Sequence, residues 1–462
     1  MLRDALLQFP AGRGGSWTRQ RACALLLATL LLSSGASRAT EAAAPEPPAE
    51  STDVWAVHGQ FTFTEQEAGN FSAPYHGANS LTPGRGHETT DATVYLGRRL
   101  WRDAEFWVNP EIDQGFGLDN TLGVAGFPSG EAYKVGKNQP YFRLQRVFVR
   151  STINLDGPTS AVDATANQFA GSHSENRWVF TFGKMSVADV FDANQYAHDP
   201  RNDFLNWSVI DGGGFDYAAD AWGYSVGVAT EWYRGDWALR AGLFDLSNVP
   251  NSVHLQPGLH QIQWLVEAEH RYEFAGLGGK AAITCFESRG RMALLEDALS
   301  QAQLNGGPID LGAVRAYRTR AGISANLEQA LTGNLGAFAR ISGAGGNVEA
   351  YEFTDIDRSI AAGLSLKGGS WRRAQDTFAI AAVDNVISST RQRYLAAGGL
   401  GILVGDGQLP HPAPERLIET YYSWHLSSQL QVTLDYQWVK NPAYNADRGP
   451  VPIYAARVHA SF

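Results

Sequence analysis

From Asp53 onward, apolar and polar side chains alternate in segment after segment. The final residues show the pattern most plainly: Tyr454, Ala456, Val458, Ala460 and Phe462 share one face, and Ala455, Arg457, His459 and Ser461 the other. A period of two is the mark of a strand with two unlike faces. Trp222, Tyr224, Val226, Val228 and Trp232 likewise oppose Ser225, Gly227, Ala229 and Glu231. Leu430, Val432, Leu434, Tyr436 and Trp438 oppose Gln431, Thr433, Asp435 and Gln437. Candidate strands fall at 55–64, 90–100, 104–112, 141–154, 177–184, 205–217, 221–233, 237–244, 262–274, 280–287, 317–327, 334–342, 357–366, 376–386, 416–426, 429–438 and 453–462. That makes seventeen, an odd number, whereas single-chain bacterial barrels have an even number. Counted back from Phe462, short and long connections alternate until the one before Trp222. Assigning 205–217, with its Gly212-Gly213-Gly214 run, to a long loop restores the order and leaves sixteen.

Alternation alone fits a soluble sandwich as well as a barrel in lipid. Two features favour the barrel. Trp222, Trp232, Trp237, Tyr436 and Trp438 fall at strand ends on the apolar face, where aromatic girdles meet the membrane surfaces. A chain that ends in an apolar-faced strand would leave a hazardous open edge in water, and closing a barrel removes that edge. The pattern predicts an all-β, transmembrane antiparallel β-barrel over 54–462, of sixteen strands, with long external loops and short periplasmic turns. The 155–176 connection is long for the periplasmic side.

The first residues add a location. Arg3, Arg13, Arg19 and Arg21 precede an apolar run, Ala22 to Leu32, and a small-residue stretch, Ser33 to Ala39. Residues 1–39 read as a secretory signal peptide, too short in its apolar run to span a bilayer, and 40–53 as a flexible Ala/Pro/Glu-rich leader. Removing 1–39, with five Arg and one Asp, takes the formal charge from −10 to −14. Such an acidic chain is a poor partner for nucleic acid. Cys285 alone would remain, so an intramolecular disulfide is excluded.

Several runs carry a likeness: PYHGANSL (Pro74–Leu81), VYLGRR (Val94–Arg99), WVNPEIDQGFGLDNTLGVAGFPSGEAYK (Trp107–Lys134), FGKMSVADVFD (Phe182–Asp192), YAHDPRNDFLNW (Tyr196–Trp207), GGLGIL (Gly398–Leu403) and NPAYNADRGP (Asn441–Pro450). Together they resemble the carbohydrate-selective porins, the OprB-type family of Gram-negative outer membranes. The resemblance implies a sixteen-stranded barrel that passes glucose and related sugars, mono- and disaccharides among them, by diffusion. The terminal Phe462 resembles the signal read by the barrel-assembly machinery. Porins of this width are often trimers, and no distinct interface strand here chooses between trimer and monomer.

Sugar passage needs hydrogen-bonding groups at a constriction and a flat apolar surface for the pyranose ring, with no cofactor. Strand phase turns Glu105, Trp107, Asn109 and Glu111 into the lumen, with Trp107 either a stacking platform or a packing residue under an inward loop. Arg146 and Arg150 face inward if a bulge reconciles their phase with the opposite parity of Phe142 and Leu144. Glu231, Arg240, Arg318, Arg320, Arg340 and Asp435 follow, because a charge facing lipid at the midplane would cost about 2–4 kcal/mol. Of the two long segments, Gln114–Pro140 and Asp192–Asp211, the first is the better constriction on its glycine content. A non-selective porin and an outer-membrane enzyme are the rivals. For the enzyme the nearest candidate pair is Ser423 and His425, two residues apart on one face and too distant for a direct hydrogen bond.

Overall fold

The computed structural model describes residues 53–462; the expected signal peptide, and the leader up to residue 52, lie outside the described residues. The strands are β1 Trp55–Ala68, β2 Gly86–Trp101, β3 Ala104–Gly115, β4 Lys137–Asn154, β5 Thr159–Val162, β6 Gly171–Ser174, β7 Arg177–Met185, β8 Ser225–Arg234 and β9 Trp237–Asp245. They continue with β10 Ile262–Phe274, β11 Leu277–Met292, β12 Ala316–Ala330, β13 Leu335–Ala344, β14 Arg358–Gly368, β15 Arg373–Val386, β16 Glu415–His425, β17 Leu430–Lys440 and β18 Val451–Ser461. Among the described residues, sixteen of these close an antiparallel barrel by pairing β18 with β1, and β5 and β6 form a separate two-stranded sheet. Residues 205–217 are not a strand. They hold the short helix α1, Trp207–Ile210, inside the barrel.

Connections alternate as the pattern predicts. Ala275-Gly276 joins β10 to β11 with φ of 53° and 75°, the two positive values a tight hairpin turn needs, and glycine takes the second without strain. The long 155–176 connection is the β5–β6 hairpin. At the seam, Phe462 and Gly59 exchange backbone hydrogen bonds of 2.9 Å, and the Phe462 ring lies where a Cβ on Gly59 would stand. The terminal aromatic thus covers a glycine that would otherwise leave the first strand bare.

The bulge sits where the two parities meet. The β3–β4 register shifts between Asn109 and Pro110, leaving Gln145 as the extra residue, so Phe142, Leu144, Val147 and Val149 all turn outward while Gln145, Arg146 and Arg150 turn inward. On β8, Val226, Val228 and Trp232 face out, but Trp222 and Tyr224 do not. Gly223 at φ 98° breaks the alternation before the strand begins, and both aromatics turn toward the lumen. Trp232 stays in the outer girdle against Trp178 at 6.1 Å, and Tyr436 pairs with Tyr454 at 5.4 Å.

Inside, the long loops fold back into the barrel. The 186–224 loop crosses to the far wall: Asp192 meets Arg340 of β13 at 3.2 Å, Leu205 and Asn206 donate backbone N–H groups to Glu419 of β16, and Asp216 meets Arg320 of β12 at 2.6 Å. Phe204, Val209 and Ile210 pack on Phe338, Ala361, Ala379, Ala381, Leu417 and Tyr421. The 116–136 loop joins it, with Ala125 and Gly126 donating to Glu415 at 2.9 and 2.7 Å. The 114–140 segment folds inward as expected of a constriction element, and the 186–224 loop folds inward beside it. The 186–224 loop packs Phe204, Val209 and Ile210 on an apolar patch of the far wall, and residues of both loops line the remaining cavity.

Candidate functional site: an off-centre channel

The loops leave one side of the barrel open. A continuous cavity of about 850 Å³ runs along the wall of β1, β2, β4, β7 and β8, from Lys134, Trp222 and Phe353 at the loop end to His58, Gln168 and Ser461 at the turn end. Midway, charged side chains gather. Arg146 holds Asp189 through two hydrogen bonds, 2.8 and 2.6 Å, and lies 3.4 Å from the Tyr224 hydroxyl. Arg201, on the 186–224 loop, stands 3.5 Å from Asp91, 3.8 Å from Glu111 and 3.3 Å from Glu131. Gln145, freed by the bulge, donates to Glu111 at 3.0 Å. One cation faces three carboxylates here. Burial pushes the Glu131 carboxyl up, and Arg201 opposes that shift. Apolar surface lies alongside: Phe127 stacks on Trp207 with centroids 5.3 Å apart, and Tyr217 and Phe353 extend the cluster.

These parts, hydroxyl-binding charges beside aromatic faces in a barrel lumen, suit a polar ligand with a ring. The family model described as "Carbohydrate-selective porin, OprB family" matches residues 78–462. The chain belongs to the OprB family of carbohydrate-selective porins. As a member it is an integral outer-membrane barrel and a sugar diffusion channel. The high-pH structure of Pseudomonas putida OprB is similar in fold, with a TM-score of 0.66 at 14% identity over 88% of this chain and 94% of that one. The outer-membrane channel DcaP of Acinetobacter baumannii has a TM-score of 0.50 at 10% identity, covering 88% and 97%. No match is found among curated proteins.

In this porin, Arg146, Arg150 and Glu231 line the cavity, and the other inward-facing candidates do not. Glu105, Trp107 and Arg150 are brought together: Trp107 Nε1 donates to Glu105 Oε2 at 2.9 Å, and Arg150 Nη2 to the same atom at 2.8 Å. Trp107 is fully buried over Gly97 and against Phe169, so it packs and does not offer a stacking face. Asn109 and Glu111 are buried behind the cavity wall. Arg240 ties Glu231 to Glu267 and Glu269, at 3.1, 2.6 and 2.8 Å. Arg320 and Arg340 hold the crossing loop, Asp435 lies under it beside Gln437, and Arg318 pairs with Asp297 at 2.8 Å by the rim. Strand phase gave inward or outward; it carried no information on which part of the lumen the loops fill. The residues it missed, Glu131, Lys134, Asp189, Arg201 and Trp207, all lie within the runs that resemble the family.

Two loop groups should make the channel's ion preference depend on pH. Burial brings Lys134 down to about 8, although Glu352 opposes it, and burial followed by Asp192 brings Asp211 up to about 8. Both line the cavity. As pH rises through 8, Lys134 loses a positive charge and Asp211 gains a negative one, so the preference for cations over anions should increase. Reversal potentials in a KCl gradient between pH 6 and 9 measure this, and the shift should shrink in Lys134→Met and Asp211→Asn. A flat profile contradicts it.

Proposed function

We propose that glucose-sized neutral sugars cross along the off-centre cavity and are held in passing by Arg146, Asp189 and Arg201, with Tyr224 and Trp207 as apolar surfaces. The observation that carries this reading is the placement of paired arginine and carboxylate groups along the open channel, on its wall and its loop side, beside aromatic rings. An arginine fork and a carboxylate can together engage adjacent hydroxyls, which donate and accept at fixed spacing. Arg146 and Arg201 are outnumbered here by Asp189, Asp91, Glu111 and Glu131, which favours a neutral solute over an anion. The Phe462 ring over Gly59 supports a role for the last strand in closing the barrel and, with the assembly machinery, in its insertion.

The test uses two single-cysteine variants in a Cys285→Ser background. Gln60 lines the cavity, and Asn326 is buried under the crossing loop. A methanethiosulfonate reagent should reduce current through Gln60→Cys, more slowly when glucose is present, and leave Asn326→Cys unaffected. The opposite pattern would place the path on the other wall.

A further inference from the structure

The β5–β6 hairpin is the feature a passive barrel does not need, and its tip points back into the channel. Thr165, Ala166, Asn167 and Gln168 line the turn-end mouth of the cavity, facing His58, Gln60 and Asn202. The hairpin is fastened at its tip. Phe169 is buried against Trp107 with ring centroids 5.2 Å apart. The Arg99 guanidinium lies 4.6 Å over the Phe169 ring and donates to the Ala170 carbonyl at 3.1 Å. Arg150 donates to the Asn167 carbonyl while also holding Glu105. Within the tip, Thr165 and Gln168 exchange backbone hydrogen bonds of 3.1 Å, and the Gln168 side chain donates to the Asp163 carbonyl at 3.0 Å.

We infer that this hairpin is a fixed exit constriction, and that it sets the upper size limit of the solutes the channel passes. The inference rests on the reading of the cavity as the sugar path. Glu105, Trp107 and Arg150 are then positioning residues: they fix the hairpin tip, and through it the width and polar lining of the mouth. Asn167 and Gln168 are the specificity-determining contacts, because amide groups at a mouth can replace water on a departing sugar without binding it tightly.

Two variants test this in the full-length chain. In the first, residues 157–174 are replaced by Asn-Gly, which shortens the connection to an ordinary hairpin turn. In the second, Phe169→Ala releases the tip without removing it, and it carries the test if the first does not assemble. Single-channel conductance in KCl and uptake of glucose against a disaccharide and a trisaccharide into liposomes are measured for each. The expected result is a higher conductance and a loss of discrimination between the three sugars. Unchanged conductance and unchanged discrimination in an assembled deletion variant would overturn the inference. A conductance rise in a channel whose wild type does not favour sugars would uphold the constriction and defeat the sugar reading.

Discussion

Replacing Asp192 with alanine is expected to detach the crossing loop from the barrel wall, lower the unfolding midpoint and raise conductance together. Asp192 is fully buried, and its side chain accepts from Arg340 at 3.2 Å, from Gly212 N–H at 2.8 Å and from Asn326 at 3.0 Å. Its backbone carbonyl takes two more bonds from the same pair of side chains, and its N–H donates to Glu267. Removing the carboxylate leaves the buried Arg340 guanidinium without its anion. Breaking one half of a buried pair costs about 3–5 kcal/mol, whereas replacing both halves with apolar groups costs far less. The Asp192→Ala/Arg340→Met double variant should therefore be more stable than Asp192→Ala alone, measured as the midpoint of the shift from folded to unfolded mobility on heating in detergent. A single variant with wild-type conductance and stability would show that the loop is held elsewhere.

The second large effect is expected at Arg201. It is the cation shared by Asp91, Glu111 and Glu131, and it sits on the loop side of the channel opposite Arg146. A hydrogen bond to a charged group contributes about 1.5–3 kcal/mol, so Arg201→Ala should weaken glucose binding by about tenfold or more. It also leaves the carboxylates unbalanced, which should turn the channel toward cations. Arg201→Lys keeps the charge and loses the planar fork, and should fall between the two. Glucose-dependent block of single-channel current reads the affinity, and the reversal potential reads the charge. Equal affinity in wild type and Arg201→Ala would remove Arg201 from the sugar path.

Barrel architecture was readable in the sequence because lipid enforces it locally. Each strand must show apolar groups outward, so two-residue periodicity marks it, and even the bulge at Gln145 was visible as a clash of parity between Phe142 and Val147. Where lipid no longer acts, the same signal misleads. Trp222 and Tyr224 continue the alternation of β8 on paper, yet they belong to a loop whose aromatics are taken up by the lumen, where Arg143 lies 3.2 Å from the centre of the Trp222 ring. The interior is filled by contacts between residues distant in sequence: Leu205 meets Glu419 across a separation of 214 positions. No local pattern encodes that pairing. This is why Arg240, Arg320 and Arg340 were placed facing inward without any sign that they are structural ties, and why Trp107 could not be assigned between stacking and packing. The resemblance runs held more, since Glu131, Lys134, Asp189, Arg201 and Trp207 of the channel lie in them.

The most direct test of a sugar-selective channel is uptake by liposomes carrying the purified mature protein, comparing glucose with gluconate, a charged solute of similar size. The arginine groups, the excess of carboxylates around them and the aromatic rings along the channel predict glucose uptake faster than gluconate and saturable with concentration. Equal, non-saturating rates for the two solutes would contradict it.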